Sequence, residues 1–349
     1  MTTDKPFKVG LIVRGDNTGL GNQTKNLAYM LRPDRVMYIN SKPFNGNEQN
    51  HDWYANFKGF ATLGFPDNRA ILRFMDGLTH IVTCETFYSY ELIKLANQRG
   101  IKTFNQFNYE FLDNLRQILP IPYKFLAPSY WNIDEMQAKF ENVQYLPPPI
   151  FTNDFKLARD ENFKRTGYRR FVHIVGKPAE HDRNGTEDLL HALEFSDRDF
   201  ELVIRSQYPL PYQINDRRVM IDIGNKAEPY ELYKDFDAMI MPRRYGGLCL
   251  PMNEALCSGL PVIMTDISPN NRILPERWLA QARKTKEFMA RTVIDVHTTD
   301  YRDLVRIIDS FCDMSDEELQ EQKSLAFEIG FDEYDADNLR AKYKEILEL

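Results

Sequence analysis

The chain has 349 residues, 43% hydrophobic and 27% charged, with 13% aromatic residues and a formal net charge of −7. That length predicts two domains, and the composition is that of a globular protein, which excludes a disordered, collagen-like or fibrous chain. The acidic balance speaks against a dedicated nucleic-acid binder. The charge is uneven, however: residues 1–150 carry 16 Lys+Arg against 14 Asp+Glu, a net of +2, and residues 151–349 a net of −9. A mildly basic surface on the first half is therefore compatible with an acidic whole. No stretch approaches the roughly 18 consecutive apolar residues of a membrane helix, and a charged N-terminal tail runs straight into a strand-like segment, so neither a span nor a secretion signal is expected. Cys84, Cys249, Cys257 and Cys312 lack zinc or redox spacing and read as reduced thiols of a cytoplasmic protein.

In chain order, the apolar run 8–13 has the character of a strand buried in a parallel sheet. A polar turn holding Gly15, Gly19 and Gly21 follows, then a helical pattern over 23–31 on which Leu27, Met30 and Leu31 repeat, together a βα unit. Further strands are expected at 36–40, 80–84, 102–107 and 124–127, separated by helical stretches such as 90–99. Residues 41–69 show no periodicity and read either as a binding loop or as a mobile surface insertion. Pro147, Pro148 and Pro149 followed by the polar stretch 152–166 predict a stiff link between domains. A second series then begins, with strands at 170–175, 200–204, 219–223, 238–241 and 262–265 and helices at 186–193, 230–234 and 252–258. The architecture expected is α/β: two Rossmann-like parallel-sheet domains facing each other across a cleft.

The most informative segment runs from Asp237 to Thr265. A buried strand ends at Pro242, a loop containing Gly246 and Gly247 follows, and a helix beginning near Pro251 carries Glu254 in its first turn. Unpaired backbone N–H groups at such a helix start can receive a diphosphate, and Glu254 is suited to accept hydrogen bonds from ribose hydroxyls. The bland alternative is a strand–helix turn with no ligand.

This segment resembles the GT-B glycosyltransferases, specifically the retaining GT4-like group related to sucrose synthase and bacterial mannosyltransferases. Their pattern E-G-F-G-L-P-x-x-E-A-x-A-x-G-x-P-V-I is met here by G-G-L-C-L-P-M-N-E-A-L-C-S-G-L-P-V-I, from Gly246 to Ile263. The resemblance implies that Glu254 binds the nucleotide ribose. The first glutamate of the pattern, which touches the donor sugar, is Gly246 here, and the backbone amides of Gly247 and Leu248 are the substitutes. Val175-Gly176-Lys177 through Arg183-Asn184-Gly185 is similar to the segment whose basic residues neutralise the donor diphosphate. Lys177 and Arg183 are the candidates for catalysis by charge stabilisation, with Asn184 where the family has lysine. Without that context both are ordinary solubility charges. Arg205 and Asn225, beside the segments 200–204 and 219–223, join the donor-binding set, as do Gly19 and Gly21 of the first glycine turn, which resembles the loop that approaches the donor phosphates.

In the first half, segments 83–86 and 105–110 follow strands and should open at strand C-terminal ends. The histidine common in relatives is absent from both, leaving Gln106, Asn108 and Tyr109 for acceptor binding. Glu85 or Glu110 would polarise an acceptor hydroxyl, or pair with an arginine inside the fold. The aromatic side chains Trp53, Tyr54, Phe57, Phe87, Tyr88, Phe107 and Tyr109 suit sugar rings or an unstacked base, or fill the core. The triplet Asp235-Phe236-Asp237 has metal-binding spacing but sits between a helix and a buried strand, and His173, His181, His191 and His297 lack zinc-like spacing.

The function implied is a metal-independent glycosyltransferase without a bound cofactor, using a UDP- or GDP-sugar and a hydroxyl acceptor that is a glycan, a small molecule or modified DNA. Two alternatives stand beside it: transfer to hydroxymethylated bases of DNA, and a non-catalytic nucleotide-sugar-binding module. The domains expected are 1–152 for the acceptor, 166–330 for the donor, and a C-terminal helix within 331–349 that crosses back to the first.

Overall fold

The structure is a computed structural model and describes residues 7–112, 121–177, 180–211 and 213–349. It divides into two compact units, residues 1–149 with 336–349, and residues 150–335.

In the first unit the chain runs β1 (Val9–Arg14), α1 (Gly19–Leu31), β2 (Arg35–Asn40), α2 (Lys42–Asn45), β3 (Gly59–Leu63), α3 (Asn68–Met75), β4 (His80–Cys84), α4 (Tyr90–Gln98), β5 (Lys102–Gln106), β6 (Lys124–Ala127), α5 (Ile133–Lys139) and β7 (Val143–Tyr145). The seven strands form one sheet in the order β3-β2-β1-β4-β5-β6-β7, every pair parallel. β1 lies at the point where the strand order reverses, so the loop after it opens at the crevice where doubly wound sheets bind ligands. Ile12, Met37, Ile39, Ile81 and the helical Ile71, Phe74 and Leu92 share one core on a sheet face. The periodicity placed the first helix at residue 23, yet it starts at Gly19. Thr18 caps it by accepting from the Gly21 N–H, so both glycines lie in its first turn rather than in a preceding loop. The unpatterned stretch 41–69 holds a regular strand, β3. It escaped detection because it is a short edge strand with exposed Leu63 and no hydrophobic alternation.

The second unit runs α6 (Lys156–Lys164), β8 (Arg170–Gly176), α7 (Thr186–Leu193), β9 (Glu201–Ser206), β10 (Val219–Ile223), β11 (Ala238–Met241), α8 (Leu250–Cys257), β12 (Val262–Thr265), β13 (Leu279–Ala280), β14 (Ala282–Met289), β15 (Val293–Thr299), α9 (Tyr301–Asp313) and α10 (Asp316–Tyr334). Six strands form a parallel sheet in the order β10-β9-β8-β11-β12-β13, and β14 and β15 pair separately as an antiparallel hairpin. The order reverses between β8 and β11, so the loops after these two strands are neighbours at the ligand-binding edge. The polar stretch after the prolines is helical, because α6 buries Ala158 and Asn162, and Asn162 donates to the carbonyls of Tyr233 and Ser258. The helix expected at 230–234 is a single 3₁₀ turn, Pro229–Leu232.

Asp235 and Asp237 are held by cations of the fold. Asp235 accepts from Arg165 at 2.9 Å, and Asp237 accepts from the fully buried Lys323 at 2.9 Å and from the Arg170 N–H at 2.8 Å. α11 (Ala336–Leu347) belongs to the first unit, where the buried Tyr343 hydroxyl donates to the Pro147 carbonyl at 2.8 Å and Glu348 pairs with Lys102. All four cysteines are free thiols.

Candidate functional site

The site of the second unit is built by the loops after β8 and β11. β11 is a fully buried apolar strand, Ala238 to Met241, and the chain leaves it through Pro242, Arg243, Arg244, Tyr245, Gly246 and Gly247 before entering α8. Gly247 has φ +127°, a conformation side-chain-bearing residues rarely adopt, and a Cβ there would collide with the Arg183 guanidinium. That guanidinium donates from Nη2 to the Gly246 carbonyl at 2.7 Å and lies over the Tyr245 ring at 4.9 Å. Arg244 ties the same loop sideways, donating to the His297 carbonyl and the Thr298 hydroxyl of β15, while the Arg244 N–H meets the Arg183 carbonyl at 3.0 Å. The hairpin braces it further, because Phe288 packs on His181 and Tyr245, with ring centroids 4.6 and 5.1 Å apart.

The two helix starts beside these loops differ. At α7 the Asp182 carboxylate already accepts from the Thr186 and Glu187 N–H groups, at 3.0 and 2.8 Å. At α8 the preceding residue is Cys249, which makes no capping hydrogen bond. The α8 terminus therefore has no side-chain cap, although Pro251 has no N–H and the Met252 N–H is bonded to the Cys249 carbonyl at 3.0 Å, so what it offers an anion is chiefly the positive end of the helix dipole.

Glu254 sits one turn into α8, partly exposed, and accepts a 2.6 Å hydrogen bond from the hydroxyl of fully buried Tyr233. Burial pushes its carboxyl up to about 7, against the hydrogen bond from Tyr233, which favours the ionised form. The same burial, with Glu254 beside it, holds Tyr233 well above its ordinary value and therefore as a neutral donor.

The other predicted residues of this unit are dispersed. Lys177 is exposed just past β8, and Asn184, in the place of a lysine, is spent on structure, its amide donating to the Ile174 and Val175 carbonyls at 3.1 Å. Arg205 leans on the Phe236 ring at 5.4 Å and lies 3.3 Å from Asp222, and burial pushes its guanidinium down. Asn225 is exposed and accepts from Gln207. Leu248 is half-buried beside Gly247.

In the first unit, the turn after β1 is organised by Asp16, a fully buried carboxylate that the sequence reading passed over. It accepts from Arg14, Thr18, Ser41, Asn45 and Asn47, and so pins the segment 41–50 against the start of α1. A Cβ at Gly21 would strike the Asp16 carbonyl, which explains glycine there, while Gly19 is exposed.

The residues expected to hold an acceptor separate into two groups. Gln106 is 1% exposed and fully engaged, accepting from Gln23 at 2.7 Å and donating to the Leu146 carbonyl at 2.6 Å, so its amide is a tie within the core. Tyr109 is buried and donates to Glu135 at 2.6 Å. Asn108, Glu110 and Glu85 are partly exposed at strand ends, and Glu85 and Tyr88 both have left-handed backbones, φ +62° and +59°. Of the aromatic residues offered for ring recognition, Tyr54, Phe87, Tyr88, Phe107 and Tyr109 are buried, which makes them core. Phe44 and Phe65, outside the aromatic set named from the sequence, are both exposed and stack at 5.1 Å.

Comparison with known proteins bears on both units. Residues 169–297, which contain the whole β8–β11–α8 site, match the family model described as glycosyl transferases group 1. Sucrose-phosphate synthase from Thermosynechococcus elongatus superposes with a TM-score of 0.67 at 12% identity, covering 98% of each chain. HepE of Anabaena, solved with UDP and glucose, gives 0.66 at 11% identity over 98% of this chain and 99% of its own. The lipopolysaccharide outer core galactosyltransferase WaaB gives 0.64 at 14% identity, over 98% and 99%. No curated protein matches the sequence. Residues 169–297 are therefore similar to glycosyl transferases group 1, and the chain as a whole has the GT-B fold of two parallel-sheet α/β domains.

Proposed function

We propose that the chain transfers a glycosyl group from a nucleoside-diphosphate sugar, UDP- or GDP-linked, to a hydroxyl acceptor. The observation that carries this reading is the arrangement after β11: an uncapped start of α8, Arg183 on the Gly246–Gly247 turn, and a carboxyl at Glu254 one turn further on. A diphosphate at the helix start would be met by the positive end of the dipole, with no side-chain cap in its way. The ribose would then lie within reach of Glu254, whose ionised form accepts from both hydroxyls while the Tyr233 hydroxyl fixes its other side. HepE was solved with UDP, and the same fold supports a nucleotide of that kind here.

The chemistry this arrangement favours is departure of the nucleoside diphosphate, with negative charge growing on its terminal phosphate and offset by Arg183 and Lys177. Transfer with retention, acceptor attack on the face the diphosphate leaves, and independence of metal belong to this proposal. The acceptor hydroxyl would be oriented on the first unit, where Glu85 and Glu110 are the partly exposed carboxylates at strand ends. With five of the seven proposed ring-binding aromatic residues buried, transfer to a DNA base keeps only Trp53 and Phe57 of those rings, together with the less acidic first half, in its support.

A thermal-shift screen of UDP- and GDP-sugars, followed by calorimetry, tests the donor assignment. Stabilisation by one base series is expected, with binding weakened at least tenfold in Glu254→Ala, a loss of about 1.4 kcal/mol. Undiminished donor binding in that variant would place the ribose elsewhere. Release of free sugar or transfer to an acceptor in the presence of a chelator tests catalysis without metal.

A further inference from the structure

Arg243 is the first residue after the proline that ends β11, and its side chain is 4% exposed. Among the described residues no carboxylate pairs with it, its Nε has no hydrogen-bond partner, and its one side-chain hydrogen bond is a long one, from Nη2 to the Gly246 carbonyl at 3.4 Å. A guanidinium keeps its charge in proteins, and a buried charge without a counter-ion is unfavourable unless an anion arrives to offset it. The group is aimed at the turn before α8, since a Cβ built on Gly247 would lie 3.5 Å from Arg243 Nη2. That turn leads to the helix start without a side-chain cap, whereas the neighbouring start of α7 is filled by Asp182. Asn184, meanwhile, contributes no charge, because its amide serves two backbone carbonyls.

We infer that Arg243 is an anion-binding residue of the α8 terminus, which takes the phosphate of the diphosphate nearest the transferred sugar and supplies the positive charge that position 184 lacks. The inference rests on the nucleoside-diphosphate reading above for the identity of the ligand, and on the buried, uncompensated guanidinium for the site. Arg243 would hold a non-bridging phosphoryl oxygen through its terminal Nη groups, a contact that guanidinium suits and ammonium does not reproduce.

The test compares wild type, Arg243→Met and Arg243→Lys for binding of inorganic pyrophosphate, UDP, GDP and the matching monophosphates by calorimetry, with the melting temperature of each ligand-free protein. Losing a charge-assisted pair predicts a roughly 10- to 100-fold weaker pyrophosphate affinity in Arg243→Met, partial recovery in Arg243→Lys, and a smaller change for the monophosphate. Because the methionine removes a buried charge that has no counter-ion among the described residues, the ligand-free melting temperature should hold or rise. Equal pyrophosphate affinity in wild type and Arg243→Met would overturn the inference, as would a fall in melting temperature that accounts for the weaker binding through loss of the Gly246 contact. Pyrophosphate bound through Arg243, with neither UDP nor GDP bound by the wild type, would instead refute the nucleotide reading and leave the anion site standing.

Discussion

Replacing Glu254 by glutamine should stabilise the ligand-free protein while weakening its hold on a nucleotide, and pH separates the two effects. The carboxyl moves from an ordinary 4.5 to about 7 because of burial. Converting that difference at about 1.36 kcal/mol per pH unit gives a cost of about 3 kcal/mol for the ionised group in the fold. Below pH 4.5 the carboxyl is protonated in both folded and unfolded chains, and no cost arises. Between 4.5 and 7 the native state keeps a proton that the unfolded state releases, so stability falls as pH rises, and above 7 the cost is complete. Glutamine has no charge to bury, and its carbonyl can still accept from Tyr233. At pH 8 Glu254→Gln should therefore exceed wild type by up to about 3 kcal/mol, roughly 6 to 12 °C in melting temperature for a unit of this size. At pH 4.5 the difference should nearly vanish. Calorimetry with the bound nucleotide should show the opposite order, since ribose hydroxyls donate to a carboxylate: wild-type affinity falls below pH 7, and the variant is weaker at pH 8 by about tenfold or more. An equal stability gap at both pH values, or a variant less stable at pH 8, would refute the argument from burial.

The Tyr233 hydroxyl favours the ionised Glu254, so Tyr233→Phe should move the midpoint of the pH dependence of nucleotide binding upward, as read by calorimetry across pH 6 to 9. In Gly247→Ala the Cβ meets Arg183 on a left-handed backbone, so the loop must shift; a stability loss of about 1 to 3 kcal/mol by denaturant titration, with donor affinity reduced, is expected. Lys323→Ala leaves Asp237 buried without its ammonium, and urea unfolding should show a loss of about 3 to 5 kcal/mol.

Much was legible from local pattern. β8, β9, β11 and β12 each appear as short apolar or β-branched runs, because strands of a parallel sheet covered on both faces carry no alternation to blur the signal, and β10 appears as an apolar run although it is an edge strand with Met220, Ile221 and Ile223 exposed. The motif from Gly246 to Ile263 was legible for a related reason, since its glycines and prolines answer to backbone geometry that few residues can adopt. The hairpin β14–β15 was not foreseen. Its outer positions are charged, so its sequence reads as surface, and its role in bracing Tyr245 through Phe288 depends on residues more than forty positions apart.

The sequence by itself determined the α/β class and the second sheet's strands other than β13, because those follow from apolar runs, while the segment proposed to meet a diphosphate and a ribose was singled out by its resemblance to a family pattern. Only the tertiary structure decided which polar residues were already committed. Gln106 and Asn184 look as available in the sequence as Arg243, yet the first two spend their amides on backbone carbonyls, while Arg243 lies buried with no counter-ion among the described residues. The physical reason is that a side chain's availability depends on the partners that distant strands and helices bring to it, and those partners are fixed by packing rather than by neighbouring residues.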